Sequence, residues 1–478
     1  VANRFRGISL SVGTTTATSI QGNTISNFNF SSTSGANTAP GVWSGIYLNA
    51  GNANIGTSSG NTIGSATTTG SIVSTTSTSG GLTLGIAIET TTGSVAISNN
   101  TIGSITVSGN STSVSHSFTA ISTANATNLT INNNFIGSTT QSNSINANTA
   151  SVNATNQLVI GINNTAAATT LNITNNSIAN LYNAYAPSTA STSNVIVGIK
   201  STAGSNTISG NVIRNMTTFA LATSFTQNAS VAGILVNSAA ANNILQNTVY
   251  SIGNLNTSSA SAIYVIGILN FGNSTGKIAR NNVYGLINSS TNTSSYLYGI
   301  QDMGATSTLS FENNMVSIGS NFIGNVIGLY GAGVNDFLFN SVYIGGTATT
   351  GTPFSNALCG IATSGTRNIL NNIFVNERTN SGASGTHYAV QLSSSSAGYA
   401  GITSNFNIIR ATGSGGFLGI HPPNTNVSTL SQWQSLTGKD ANSYSSDPGF
   451  IDPTATTPNL HINSSVGTVA EGTGTPVG

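Results

Sequence analysis

Charge is nearly missing from this chain: Asp, Glu, Lys and Arg make up 4% of its 478 residues, and they sum to a formal +1. Ten basic residues, scattered singly, give no electrostatic footprint for nucleic acid or for an anionic membrane, so neither is expected as a partner. The one cysteine, Cys359, excludes an intramolecular disulfide and reads as a small core filler. No apolar run reaches the roughly 18 residues needed to span a bilayer, so no membrane insertion is expected. No signal-peptide pattern is read at Val1. The chain opens at Val1 in mid-pattern, which reads as a processed chain or part of a larger chain or assembly.

What the chain does have is 54 glycines, a polar fraction dominated by Ser, Thr and Asn, and 38% hydrophobic residues, mostly β-branched. That is too much apolar material for a disordered chain and enough to build a core. Nowhere does a 3.6-residue periodicity persist long enough to predict a core helix.

A repeat organises these residues. The motif apolar-x-x-Asn-x-apolar recurs, as in Ile97 to Ile102, Ile173 to Ile178 and Ile208 to Ile213. Its asparagines are Asn23, Asn61, Asn100, Asn134, Asn176, Asn211, Asn247, Asn281, Asn314, Asn340, Asn372 and Asn405, with a mean step of about 35 residues. A second motif keeps phase ahead of it, a small residue followed by a branched one: Gly85-Ile86, Gly161-Ile162, Gly198-Ile199, Gly233-Ile234, Gly267-Ile268, Gly299-Ile300 and Gly360-Ile361, with Ala120-Ile121 and Ala389-Val390 as variants. A third apolar piece follows the asparagine, as in Val249 to Ile252 and Val283 to Leu286.

Three short strands per period is the cross-section of a right-handed parallel β-helix, here of about twelve coils, in which equivalent positions stack. The residue two past the asparagine should form one core column, and it reads Ile102, Ile136, Ile178, Ile213, Val249, Val283, Val316, Val342 and Phe374. A propeller would need four strands per period and no such column. The asparagines fit a tight bend, since Asn tolerates left-handed backbone and its amide can bond local backbone or the next coil's Asn. They are therefore read as a structural turn column. The pattern slips at Ser58 and Asn407, predicting a bulged early coil and a fading last one. Polar stretches 64–81 and 137–157 are expected to project as loops or to lengthen a strand.

Residues 1–410 are assigned to the β-helix and 411–478 to a C-terminal capping segment. Leu430, Trp433 and Leu436 are spaced to lay one face of a short helix over the open end of the solenoid, where exposed strand edges need cover. No such cap is seen at the N-terminal end, where Arg4 to Ile8 runs straight into the first coil. The repeat resembles secreted bacterial parallel β-helix proteins, the superfamily that includes pectate lyases and phage tailspikes. The final 50 or so residues, with Trp433, Gly438, Asp440, Ser443, Asp447 to Phe450, Leu460 to Ile462 and Gly472 to Pro476, are similar to the closing segment of cell-surface β-helix proteins exported by the type IX pathway. That resemblance implies an extracellular or cell-surface location, with a sorting domain that this sequence lacks.

The superfamily's enzymes use carboxylates, Arg or Lys, which makes the nine acids the candidates for chemistry. Asp302 aligns with Asn270 one coil earlier and Glu312 with Ala279, which leaves no acid pair in adjacent equivalent positions, as a glycosidase requires. An Asp302 and Glu312 dyad across one coil is the remaining catalytic arrangement. No segment supplies the clustered oxygens of a calcium site, and His116, His387, His421 and His461 match no metal spacing and read as solvated or cap-packing. No cofactor is implied. Arg280 and Glu312 occupy neighbouring columns on adjacent coils and are expected to pair. Tyr250, Tyr284 and Tyr343 align three past their asparagines as an outward ladder, either a glycan contact or a stabilised sheet face.

The expected function is a non-catalytic extracellular scaffold or adhesin-type solenoid whose partners are surface glycans or identical molecules. The alternatives are a polysaccharide-binding or polysaccharide-degrading β-helix and a subunit of an extracellular filament. Ice binding ranks below these, because Thr67 to Thr69 and Thr91-Thr92 do not recur in one column.

Overall fold

The computed structural model describes residues 3–90, 93–110, 113–150, 156–168, 170–187, 195–221 and 229–477. Thr91-Thr92 and residues 151–155 of the second polar stretch lie outside them. The chain divides into two compact units, Val1–Asn243 with Ile252–Asn256, and Ile244–Ser251 with Thr257–Gly478. Both are parallel β-helix, with three strand faces per coil.

In the first unit the first face stacks Phe5–Ser11, Trp43–Ala50, Gly81–Ile88, His116–Thr123, Val159–Asn164, Ile196–Ser201 and Val231–Val236, each parallel to the next. In the second it stacks Tyr264–Asn270, Tyr296–Asp302, Asn325–Gly331, Phe354–Gly360, Thr386–Gln391 and Gly416–His421. The second face carries the short strand before each asparagine, such as Asn128–Asn132 or Thr308–Glu312. The third carries the strand after it, such as Ser177–Asn183.

Register follows side-chain size. Ile86, Ile121, Ile162, Ile199 and Ile234 are fully buried and pair in one column of the first unit, and Ile268 and Ile300 do so in the second. The column two past the asparagine is likewise fully buried, from Ile102 through Phe374. The two columns meet at the small residue of the first face: a Cβ on Gly161 would lie 2.5 Å from the Gly198 carbonyl oxygen and 3.0 Å from Ile178 Cδ1. On Gly267 it would lie 2.4 Å from Val283 Cγ1. Glycine recurs there because the third face closes onto the first face's backbone.

One expected core residue is misplaced. Ile361 lies just past its strand and is only half-buried, whereas Leu358 pairs with Leu329 and Val390 and is fully buried. The small residue of that coil is Ala357, so the resemblance of Gly360-Ile361 to the motif is coincidental.

The polar stretches do two things. Residues 65–71 and 138–144 form loops, while Ile72–Thr76 and Ile145–Ala147 within them are third-face strands paired in register with Ile105–Ser108. The third face bends there at left-handed residues such as Ser104 and Asn180. The early bulge is a longer corner: two residues separate Ile20 from Asn23, but five separate Ile55 from Asn61.

Parallel stacking continues past residue 410, through Gly416–His421, which then pairs antiparallel with Thr425–Val427. The α-helix Leu430–Thr437 opens on a Thr429 and Gln432 capping box and closes on left-handed Gly438. Trp433 is fully buried against Gly419, but Leu436 is 45% exposed and Leu430 half-buried, so one indole rather than an apolar face makes the seal. Beyond it the chain turns back along the third face. Leu460 of the hairpin Phe450–Asp452 and Asn459–Ile462 packs on Tyr343 and Val375, and Thr475 exchanges two hydrogen bonds with Asn371.

Candidate functional site

Within each unit the asparagine column is a row of hydrogen-bonded amides, buried in every member but Asn23. In the first unit each Nδ2 donates to Oδ1 of the next coil's asparagine, from Asn23 through Asn61, Asn100, Asn134 and Asn176 to Asn211, at 2.8 to 3.0 Å. In the second unit the row runs from Asn247 through Asn281, Asn314, Asn340 and Asn372 to Asn407 at 2.9 to 3.0 Å. Each oxygen also accepts a backbone N–H from the preceding asparagine, as Asn134 does from Asn100 at 3.0 Å. Most of the amides further donate to the carbonyl of the apolar residue one coil back, as Asn134 does to Ile97 at 2.8 Å. These groups are saturated and serve the fold.

Two details differ from the sequence reading. The left-handed residue is the one before the column, as at Asn99, Asn133, Asn175, Asn313 and Asn371, so bend and amide belong to different positions. The last member is Asn407 and not Asn405; Asn407 Nδ2 donates on to Asp440 Oδ1 at 3.0 Å, and its backbone N–H to Ser443 Oγ. Asp440 is buried and also accepts from Ser404, Ser443 and Trp433 Nε1, the last at 2.9 Å.

The other corners carry polar rows that the sequence reading missed. Two residues past the first-face isoleucine stand Asn164, Ser201, Asn270 and Asp302. Asn164 donates to Ser201 at 3.0 Å, and Asn270 to Asp302 at 2.7 Å. Asp302 is fully buried and also receives Asn335 Nδ2, Ser307 Oγ and the Gly304 N–H, all donors, so the site is built for its carboxylate form. Burial still raises its pKa against those four bonds.

This occupation separates the proposed dyad. Glu312 lies on the second face and pairs with Lys277 Nζ at 2.9 Å, while Arg280 sits at a left-handed turn position and reaches Glu312 only through its backbone N–H. Lys277 and Glu312 share one side of a parallel pair because Glu312 stands opposite Ala279, two residues on from Lys277.

His116 and His387 are fully buried, not solvated. His116 contacts Thr83 Oγ1 at 2.9 Å and Thr76 Oγ1 at 3.3 Å; His387 contacts Ser355 Oγ at 3.0 Å and Asn380 Oδ1 at 3.1 Å. Desolvation depresses both to about 4, with repulsion from Arg378 adding to the shift at His387. His421 packs on the Tyr399 ring at 4.9 Å, and His461 is exposed beside Asn459. Among the described residues no group of three His, Cys, Asp or Glu side chains is placed to hold a metal ion.

The tyrosine ladder forms only in part. Tyr250 and Tyr284 stack at 4.9 Å with rings 8° apart. Ser317 interrupts the column before Tyr343, and Tyr343 is buried beneath Leu460 with its hydroxyl on Glu377 at 3.3 Å. Desolvation and the Glu377 charge push Tyr343 up to about 12. The returning chain thus covers what periodicity alone leaves outward, and a groove of about 590 Å³ remains between Tyr343, Ile318 and Pro453 to Pro458.

A larger aromatic surface lies on the outer side of the first face in the second unit. Alternation from the inward Leu297 and Val326 puts Tyr264, Tyr296, Tyr298, Tyr330, Phe354 and Tyr388 outward. The bend at the Gly-Ile position, where two successive residues face inward, draws the outward columns on either side of it together into a trough. Tyr264 stacks on Tyr296 at 5.3 Å and 9°, Tyr296 on Tyr298 at 5.3 Å and 9°, and Tyr298 meets Tyr330 edge-on at 5.9 Å.

No family model, curated protein or solved structure matches the chain. Its chemistry is therefore read from these residues alone. Cys359, expected in the core, lines the trough beside Gln391 at 3.6 Å, buried enough that its thiol is pushed up to about 12 and holds its proton at neutral pH.

Proposed function

We propose that the chain is a non-catalytic, extracellular β-helix scaffold of the adhesin type, displayed on a bacterial cell surface. The observation that carries this reading is the buried amide row. Its donors and acceptors are satisfied internally, coil after coil, which makes a stiff support and leaves none of them for chemistry. Four of the nine acids serve the fold in the same way. Asp302 and Asp440 are buried and saturated, and Glu312 and Glu377 are engaged by Lys277 and Arg410. A surface rich in Ser, Thr and Asn with 4% charge suits neutral, multivalent contact better than steering of one charged partner. Export by a type IX route is supported by the resemblance of residues 429–478 to the closing segment of such proteins.

Surface labelling of cells with and without the gene tests display. Labelling of the intact cell and weaker attachment on deletion are expected; a cytoplasmic product with unchanged attachment overturns the reading. A panel of acidic and neutral glycans should show no turnover by the purified chain, and product formation lost in Asp302→Asn would replace the scaffold with an enzyme.

A further inference from the structure

The geometry points to the first-face trough of the second unit as a binding site for a neutral, extended pyranose chain. This gives the adhesive reading its ligand, and binding in solution tests it independently of where the chain is displayed. Three observations converge on it. The first is the ring surface itself, in which Tyr296 and Tyr330 are only half-buried, so that ring area remains open to solvent. Aromatic faces pack against the C–H faces of sugar rings, and Tyr adds a hydroxyl at the rim.

The second is unmet hydrogen bonding. Among the described residues, the hydroxyls of Tyr296, Tyr298 and Tyr330 have no protein partner. Nor do two buried acceptors on the outward columns, Gln301 Oε1 and Asn356 Oδ1, although their residues are 0% and 2% exposed. Buried acceptors without a partner occur elsewhere too, as at Asn146 and Asn335, but in the trough they stand beside open tyrosine hydroxyls. The buried asparagine amides of the same unit, by contrast, are paired coil after coil.

The third is charge. No carboxylate, Lys, Arg or His side chain faces the trough from the outward positions of strands 264–270 to 386–391; the tyrosines and the protonated Cys359 are neutral. Beneath it, on the inward side of the residue after Gln301, lies the Asp302 carboxylate, held by four donors and no cation. A negative charge under this aromatic floor repels uronic acids and leaves neutral hexoses and pentoses as the class that fits. From Tyr264 to Tyr388 the trough spans four strand spacings, about 19 Å, so an oligosaccharide rather than a single sugar fills it.

The test uses the purified full chain in calorimetry and affinity electrophoresis with cellohexaose, mannohexaose, xylohexaose, soluble mixed-linkage β-glucan and polygalacturonate. At least one neutral polymer is expected to bind, with polygalacturonate weaker by about tenfold or more. Tyr330→Ala and Tyr296→Ala should each weaken binding by about tenfold, while Tyr250→Ala, on the third face, leaves it unchanged. Circular dichroism and amide exchange of the asparagine row establish that each variant is folded; if Tyr330→Ala misfolds, Tyr330→Leu, which keeps bulk and loses the ring, takes its place. Absence of binding to every neutral glycan, equal affinity for polygalacturonate, or equal loss in Tyr250→Ala each overturns the assignment. Such a failure leaves the labelling and attachment results intact, and failed display leaves the binding result intact.

Discussion

Oδ1 of Asn176 accepts both the backbone N–H and the side-chain amide of Asn134, at 2.9 and 3.0 Å. One oxygen thus closes two buried donors of the neighbouring coil, and the Asn176 amide satisfies the Ile131 carbonyl at 2.9 Å. Asn176→Ala strands all three groups. At about 1 to 3 kcal/mol for each unsatisfied buried group, a loss of several kcal/mol is expected. Urea titration measures it, and amide exchange should place the lost protection in the coils around Asn134 and Asn211. A loss under about 1 kcal/mol would mean that the row is incidental to stability.

Stability should fall on mild acidification. His116 and His387 have folded pKa values of about 4, below the ordinary 6.5. Between those values the unfolded chain takes up protons that the folded chain refuses. Their stabilising contribution is therefore complete above about pH 6.5 and is lost as pH falls toward 4. The raised pKa of Asp302 acts in the opposite sense in the second unit, favouring the fold at low pH. Denaturation midpoints at pH 7 and pH 4.5 should differ, and His116→Gln should shrink the difference in the first unit alone. A midpoint that is flat across this range would count against buried neutral imidazoles.

The register at Leu358 gives a sharp pair of substitutions. Leu358→Asp places an unpaired charge in the core column and should destabilise by several kcal/mol, while Ile361→Asp, half-buried beyond the strand, should cost about 1 kcal/mol or less. Thermal melts of the two variants decide it. The reverse order would restore Gly360-Ile361 as the motif.

Trp433 ties the helix to the last coils through both packing and one hydrogen bond. Trp433→Ala is expected to destabilise by about 3 to 5 kcal/mol through the cavity it opens, whereas Trp433→Phe keeps most of the packing and removes only the 2.9 Å bond to Asp440. Exchange protection should drop first in Thr386–Gln391 and Gly416–His421, and equal losses in the two variants would locate the effect in the hydrogen bond instead.

The coil architecture was legible because two of its columns hardly vary: an asparagine, and the aliphatic residue two positions later. The row at Asn164, Ser201, Asn270 and Asp302 was overlooked because its residue type changes from coil to coil while its chemical task, filling a corner with donors and acceptors, does not. Its fixed offset of two from the Gly-Ile isoleucine was the available signal. The trough was harder to see. Tyr298 and Tyr330 occupy different offsets in their strands and meet only because two successive residues turn inward between those offsets, which strict alternation does not anticipate. Burial of Tyr343 depends on Leu460, more than a hundred positions away, and periodicity carries no information about such a return.

The amides of the second unit's row all point the same way. From Asn247 to Asn407 one N–H of each amide is directed toward the C-terminal coils and each C=O toward the N-terminal ones, while the second N–H of most reaches a carbonyl one coil back. Side-chain dipoles aligned head to tail add, as peptide dipoles do along a helix, and leave a positive pole where the row ends. Asp440 stands at that pole, accepting the last N–H. The row therefore has an electrical direction as well as a mechanical one, and an anion completes it where another asparagine would only have moved the open end one coil further on.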